Sequence, residues 1–372
     1  MNRVIKKKTL TIIAILSLAV FLLGRDSLWA APPDLPPGLA IAAAVQEAHT
    51  ANLMAIPDVV GTAVGLDDIG KPVIQVLLAS DKARGIPQEL NGFRVVTKVT
   101  GPLVAYKGRP GGGGGGGGGG TTTVDPKAKQ PTPIKLGTSG GWRYDLANGY
   151  CCGGTLGSLI KIDNTQYILS NYHIFYSDIV SGGNGRAAGA GDPVIQPGLI
   201  DVQCSAGNAQ DVATLVNNGG SLPGANVDAG IAKVIDDQVD PSGAILNIGT
   251  ISSATVAASL NQAVKKMGRT TGLSKATVSG LNATVSITYS NECAGGTAFT
   301  KTFTGQIITT NSSCKFLNGG DSGSLMVEDV TTNPKAVGLL FAGSSICYKR
   351  SIAIANPIGH VLSYFDASMV GN

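Results

Sequence analysis

Three features of the sequence predict an all-β fold of sandwich or barrel type, with a small α+β module attached in front of it. Glycine is the first: 52 of the 372 residues are Gly, and each costs about 0.5–1 kcal/mol relative to Ala inside a helix, so long helices are disfavoured. Second, from Ile134 onward short runs rich in Val, Ile, Leu and Thr follow one another with Gly, Asn and Asp between them. That spacing belongs to an antiparallel arrangement of many short strands. Third, ten consecutive glycines at Gly111–Gly120 split the chain. Such a run cannot bury apolar area and behaves as a flexible coil.

Residues 1–31 read as an export signal. Arg3, Lys6, Lys7 and Lys8 form a basic n-region, Leu10 through Leu23 an apolar h-region, and Ala30 or Ala31 a small residue suited to cleavage. The apolar run is short for a membrane span. Secretion of a soluble mature protein is the expectation, with an uncleaved anchor as the alternative. Residues 38–108 form the small module. They comprise a helical pattern from Leu39 to His49, a hairpin of Val59–Leu66 and Pro72–Leu78 turning at Asp67–Gly70, a brief helix over Asp81–Leu90, and a third strand at Phe93–Val99. This module holds no catalytic pattern, and its His49 reads as a solvated surface residue. Residues 109–133 are the linker, an exposed stretch where proteolysis is expected, and residues 134–372 are the main domain.

The formal charge is +4, much of it from the N-terminal lysines, and residues 135–372 carry 14 Lys and Arg against 15 Asp and Glu. That balance argues against nucleic acid as a partner. Of the six cysteines, Cys151, Cys152, Cys204, Cys293, Cys314 and Cys347, none forms a Cys-x-x-Cys pair, and there are only three histidines. In an exported chain an even count reads as disulfides before it reads as metal, so neither a metal nor a cofactor is expected.

Chemistry concentrates in Asn318-Gly319-Gly320-Asp321-Ser322-Gly323-Ser324-Leu325. A Ser between glycines sits on a tight turn where backbone N–H groups can converge on one point, which is what an acyl oxyanion needs. A buried hairpin, Leu325-Met326-Val327 and then Ala336 to Gly343, runs directly out of this loop, which argues against a bland polar turn. Ser322 is the candidate nucleophile, and it needs a base. His173 stands where the run Ile168-Leu169-Ser170 ends in a polar loop, whereas His360 lies near the C-terminus as a surface or capping residue. The other reading of His173 is a satisfied core histidine. Among the acidic candidates Asp178, Asp192, Asp201, Asp211, Asp228, Asp236, Asp237 and Asp240, most fall in loop sequence where a solvated carboxylate is expected. Asp228 instead abuts the apolar strand Gly230-Ile231-Ala232, where partial burial would suit the orienting of an imidazole. The order His173, Asp228, Ser322 is that of the chymotrypsin type of triad.

At these residues the chain resembles the trypsin-like serine peptidases, in particular their bacterial secreted branch. The matching pieces are Cys152-Gly153-Gly154-Thr155-Leu156, Leu169-Ser170-Asn171-Tyr172-His173, Val227 to Ala232, Val264 to Gly272, Gly320-Asp321-Ser322-Gly323-Ser324 and Val337 to Gly343. Each is weak alone, and together they occur in the family's order over about residues 135–370. The resemblance implies two antiparallel six-stranded β-barrels with the site in the cleft between them. His173 and Asp228 would come from the first barrel and Ser322 from the second. Gly320 and Ser322 N–H would form the oxyanion hole, and Phe341, Ala342 and Gly343 the edge that pairs with an extended substrate.

The sequence departs from the family's pattern in three places. Ile174 follows His173 where trypsin members have a second Cys, so Cys151, Cys152 and Cys204 must pair in another way or leave a free thiol. A Cys314–Cys347 bond would resemble the family's pocket disulfide, with Cys293 as a competing partner. Phe316 stands where trypsin carries its specificity Asp, which removes support for an Arg or Lys preference. No clear activation sequence precedes the domain; cleavage just before Ile134 is conceivable, and otherwise Asp321 needs a partner that the sequence does not name. The function expected is a secreted serine endopeptidase acting on polypeptides. The alternatives are an inactive binding module on the same fold, or an esterase using the same triad. The N-terminal module is expected to be a pro-region or folding aid released by cutting the linker, or else a substrate- or surface-binding adaptor, and docking of the module on the peptidase domain is a further expectation.

Overall fold

The computed structural model describes residues 35–105, 124–147, 150–176, 186–216, 226–289, 298–313, 315–345 and 351–372. The expected export signal, the glycine run, Asp178, Cys293, Cys314 and Cys347 lie outside them. None of the described helices is long and apolar enough to cross a membrane.

The front module opens with helix α1 (Pro37–Met54), then β1 (Val59–Leu66), β2 (Pro72–Leu78), β3 (Phe93–Val99) and β4 (Leu103–Ala105). Helix α1 outruns the expected Leu39–His49: Pro sits at its first turn, where its fixed φ suits the helix, and Leu53 in its last turn is buried. The hairpin of β1 and β2 forms at the expected bounds, and β3 lies parallel to β2, Ile74 opposite Val95. The brief helix expected over Asp81–Leu90 does not form. Gly85 adopts a left-handed φ of 81° and Pro87 disfavours the helical region for Ile86, so the segment runs as turn and extended chain.

The first barrel is built from β5 (Thr138–Trp142), β6 (Gly154–Leu156), β7 (Ser158–Ile162), β8 (Thr165–Ser170), β9 (Pro193–Gln196), β10 (Gln210–Leu215) and β11 (Gly230–Val234). The order is β7-β8-β11-β10-β9-β5-β6. Because β6 runs through Gly157 into β7, the sheet closes on itself with six strands. Trp142, Leu156, Leu159, Ile168, Val194 and Ala232 fill its interior.

The second barrel uses β12 (Ala263–Gly268), β13 (Gly272–Tyr289), β14 (Phe299–Asn311), β15 (Leu325–Glu328), β16 (Ala336–Ser344) and β17 (Ser351–Pro357). Its order is β12-β15-β16-β17-β14-β13, closed by the β12–β13 pairing. The runs expected as separate strands at Thr277–Val278 and Thr284–Tyr289 belong to one strand, β13, interrupted by shifts of register against β14. Val264, Val278, Ile307, Met326, Val337 and Leu340 form this barrel's core. Helix α3 (Ile358–Phe365) closes the domain. The fold class is thus all-β, two antiparallel six-stranded barrels with a small α+β module in front.

The far end of β13 runs beyond the barrel, and the module's sheet continues from it. Strand β1 pairs antiparallel with β13, Gly61 opposite Val285. Strand β4 pairs with two strands at once: parallel to β13, with Ala105 opposite Tyr289, and antiparallel to β16, with Val104 opposite Gly343. Leu103 and Ala105 are buried with Ile287, Tyr289, Phe303 and Phe341 in one apolar cluster.

Candidate active site

The two barrels meet at the Ser322 turn. Gly320 and Gly323 take φ of 94° and 93°, a region that side chains with a Cβ rarely enter, which is why glycines frame the serine. At Gly323 a Cβ would also stand 2.3 Å from Thr155 O. Thr155 of β6 is the tie between the halves. Its N–H donates to Ser322 O at 2.9 Å, its hydroxyl donates to Gly320 O at 2.8 Å, and that hydroxyl accepts from Arg269 N–H at 2.9 Å. Within the turn, Asp321 N–H and Ser324 N–H are used on Asn318 O and Asp321 O. The Gly320 N–H makes no such bond among the described residues.

His173 falls in a one-turn helix, α2 (Tyr172–Phe175), rather than in an open polar loop, and is buried. Its Nδ1 lies 2.6 Å from Asp228 Oδ2, and its backbone N–H donates to Asp228 Oδ1 at 3.2 Å. The Asp228 carboxylate is fully buried ahead of β11. It is fixed from both sides of its backbone: Asp228 N–H donates to Asn356 Oδ1 at 2.9 Å, and Asn171 Nδ2 donates to Asp228 O at 2.7 Å. A bond from Asp228 to Nδ1 sets the tautomer that leaves Nε2 as the acceptor. Nε2 has no hydrogen-bond partner among the described residues, and Ser322 Oγ donates to Phe341 O at 3.3 Å. Two of the three candidate triad groups are therefore joined directly, and the serine is oriented toward the neighbouring strand.

Several groups that complete this region were not visible in the sequence. Tyr289, at the end of β13, donates its hydroxyl to Asp228 Oδ2 at 2.9 Å. Burial first, and then the Asp228 charge, hold its phenol well above the usual tyrosine range. Lys266 of β12 is wholly buried with its Nζ 3.1 Å from Asp321 Oδ1. Burial lowers its pKa and the Asp321 charge opposes that shift. Asp321 further accepts from Thr270 N–H, Thr271 N–H, the Thr271 hydroxyl and Asn318 N–H. Lys266 is the partner that the sequence did not name. Activation by a new terminus at Ile134 finds no place: Ile134 is fully buried and its N–H donates to Gln238 O at 2.9 Å. Asp201 is not the solvated loop carboxylate expected. It is mostly buried, accepts from Ser139 Oγ at 2.6 Å, and pairs with Arg269 through two guanidinium nitrogens. The signals for Lys266 and Arg269 were present in Lys265-Lys266-Met267-Gly268-Arg269, but nothing local says which carboxylate each meets.

The other expected substrate contacts are distributed as follows. Phe341, Ala342 and Gly343 lie together on β16, with the Phe341 ring 5.0 Å from that of Phe303. The edge at Gly343 is taken by β4 of the module. Phe316 packs into the second barrel's core with Met326, Val337 and Leu340. Cys151 is disulfide-bonded to Cys204, and Cys152 is disulfide-bonded as well. A cavity of about 880 Å³ lies elsewhere, between α1 and the strands around Leu281 and Gln306, and no triad group lines it.

No family model matches this chain. No curated protein matches it either. Among solved structures the chain is similar to a glutamic-acid-specific serine protease, at 20% identity and TM-score 0.43 over 63% of this chain and 100% of that one. It is also similar to protease A of Thermobifida fusca, at 22% identity and TM-score 0.42 over 64% and 99% of the two chains. A chymotrypsin of Cellulomonas bogoriensis stands at 20% identity and TM-score 0.39 over 64% and 99%.

Proposed function

We propose that this chain is a secreted serine endopeptidase that cleaves polypeptides through an acyl-enzyme on Ser322. The observation that carries the reading is the buried His173 Nδ1 to Asp228 Oδ2 contact of 2.6 Å, set across the barrel interface from a serine on a glycine-framed turn. In the reaction, Ser322 Oγ turns from Phe341 O to His173 Nε2 and gives up its proton as it attacks the scissile carbonyl carbon. The N–H groups of Gly320 and Ser322 receive the oxyanion. His173 then passes the proton to the leaving amine, and a water, deprotonated by the same nitrogen, releases the acyl group. Catalytic hydrogen bonds are often long or misaligned before substrate binds, so an open serine-to-histidine link is compatible with this role.

The N-terminal module is, in this reading, a pro-region, joined through a linker that is cut on maturation. Supporting it, β4 is hydrogen-bonded to β16 at the same Gly343 edge that an extended substrate would need. The export signal at 1–31 accounts for how such an enzyme reaches the outside, and the Cys151–Cys204 bond suits an oxidising compartment.

The test is the full chain incubated with casein, wild type beside Ser322→Ala, read by intact mass, N-terminal sequencing and labelling with a fluorophosphonate. The expected result is casein degradation, loss of the module and stoichiometric labelling in wild type, and none of these in Ser322→Ala. Cleavage of casein with the module retained would make the module an adaptor. A wild type that neither labels nor cleaves would overturn the enzyme reading in favour of a binding module, and turnover of esters without peptides would make it an esterase.

A further inference from the structure

We infer that Tyr289 is a positioning residue of the triad: its hydroxyl, brought in from the second barrel, fixes the Asp228 carboxylate that orients His173. The inference rests on the proposed roles of His173 and Asp228 as base and orienter. Three observations on one side chain carry it. The Tyr289 hydroxyl donates to Asp228 Oδ2 at 2.9 Å, the same oxygen that His173 Nδ1 approaches to 2.6 Å. The Tyr289 ring stands edge-on to the His173 imidazole, centroids 5.8 Å apart at 71°. The ring is also stacked on Phe299, its cross-strand partner, at 5.0 Å and 8°. The phenol therefore touches both the orienting acid and the base, while its ring is held by the facing strand.

The chemistry of a buried carboxylate explains why such a donor is needed. An ionised carboxylate accepts hydrogen bonds and cannot donate them, and leaving it short of donors in an apolar pocket is costly. Asp228 has no exposed surface, and besides the Nδ1 and backbone N–H of His173, the Tyr289 hydroxyl is its further donor among the described residues. Two other groups feel the same charge, Tyr172 on α2 and the half-buried Lys301 on β14. Neither hydrogen-bonds the carboxylate directly among the described residues. The donor also shares its carboxylate oxygen with His173 Nδ1. It thus draws negative charge away from that contact and fixes the plane of the carboxylate at the same time.

Tyr289→Phe removes the hydroxyl and keeps the ring with both its contacts. In the full chain carrying Ser322→Ala, the His173 Nδ1–H proton is observed by NMR. Without the competing donor, Oδ2 bonds that proton more strongly and its resonance moves downfield. Replacing Tyr289 with 3,5-difluorotyrosine, a stronger donor, moves it upfield. In the Ser322 chain, Tyr289→Phe lowers the rate of fluorophosphonate labelling by about 10- to 100-fold, as expected for loss of one hydrogen bond to a charged group. Phe299→Leu loses the stacking but keeps the hydroxyl, and moves the resonance less than either Tyr289 replacement. A resonance unmoved by both Tyr289 replacements would overturn the inference. Failure of wild type to label at all would instead count against the peptidase reading, and the NMR result would still decide the role of Tyr289.

Discussion

Replacing Lys266 with Met tests whether the nucleophile turn is held by an internal ion pair. Both partners are fully buried, Nζ lying 3.1 Å from Asp321 Oδ1. Removing one member of such a pair strands the other charge without water, which costs about 3–5 kcal/mol. Asp321 keeps its four other donors, from Thr270, Thr271 and Asn318, so the lower end, about 3 kcal/mol, is expected. At roughly 2–4 °C per kcal/mol for a domain of this size, the midpoint should fall by about 6–12 °C. The assay is thermal unfolding of the full chain in the Ser322→Ala background, followed by near-ultraviolet circular dichroism. Lys266→Met with Asp321→Asn leaves no unpaired ion and should be less destabilised than the sum of the two single variants, although the new amide nitrogen faces donors at one of the two former carboxylate oxygens. In the Ser322 chain, Lys266→Met should also slow fluorophosphonate labelling at least tenfold, since Asp321 adjoins the serine. A midpoint within about 2 °C of the parent, or a double variant as unstable as the sum of its parts, would refute the reasoning.

Two further outcomes follow from the same geometry. Gly157→Ala places a Cβ 2.1 Å from Gly323 O and 2.9 Å from Leu169 O; it should cost about 1–3 kcal/mol in stability and, by displacing the Ser322 turn, about 100-fold in labelling rate. Normal labelling by a stable Gly157→Ala chain would show that the barrel contact there does not position the turn. Tyr172 has its pKa pushed up to about 12, by burial first and then by the Asp228 charge. The folded value exceeds the unfolded one, so this contribution to stability is fully present below pH ~10 and is lost as pH rises toward 12. Tyr172→Phe should therefore flatten that alkaline decline, as read from urea midpoints across the range, and an unchanged slope would count against it.

Much of this protein could be read from local pattern. The hairpin of Val59–Leu66 and Pro72–Leu78 formed where alternation and turn residues placed it, because both signals reside within a few residues of one another. The all-β class likewise followed from short strands and their separators, while the two six-stranded barrels came from the family resemblance. His173 and Asp228 could be chosen because each stood at the edge of an apolar run, and they do meet. Local pattern misled over Asp81–Leu90, where Gly85 and Pro87 together cancelled the expected helix.

What the sequence by itself determined, then, is the periodicity of the strands, the glycines that only a tight serine turn requires, and the order of the candidate triad. Tertiary structure alone decided which buried charges are paired. Lys266 meets Asp321, Arg269 meets Asp201 across 68 residues, and Tyr289 reaches Asp228 across 61. It also decided that β4 lies along the edge of β16. The physical reason is that a buried ion or hydroxyl is satisfied by whatever barrel closure brings within hydrogen-bonding distance. That distance depends on strand order and register across the whole sheet, while the residues flanking each partner carry only local preferences.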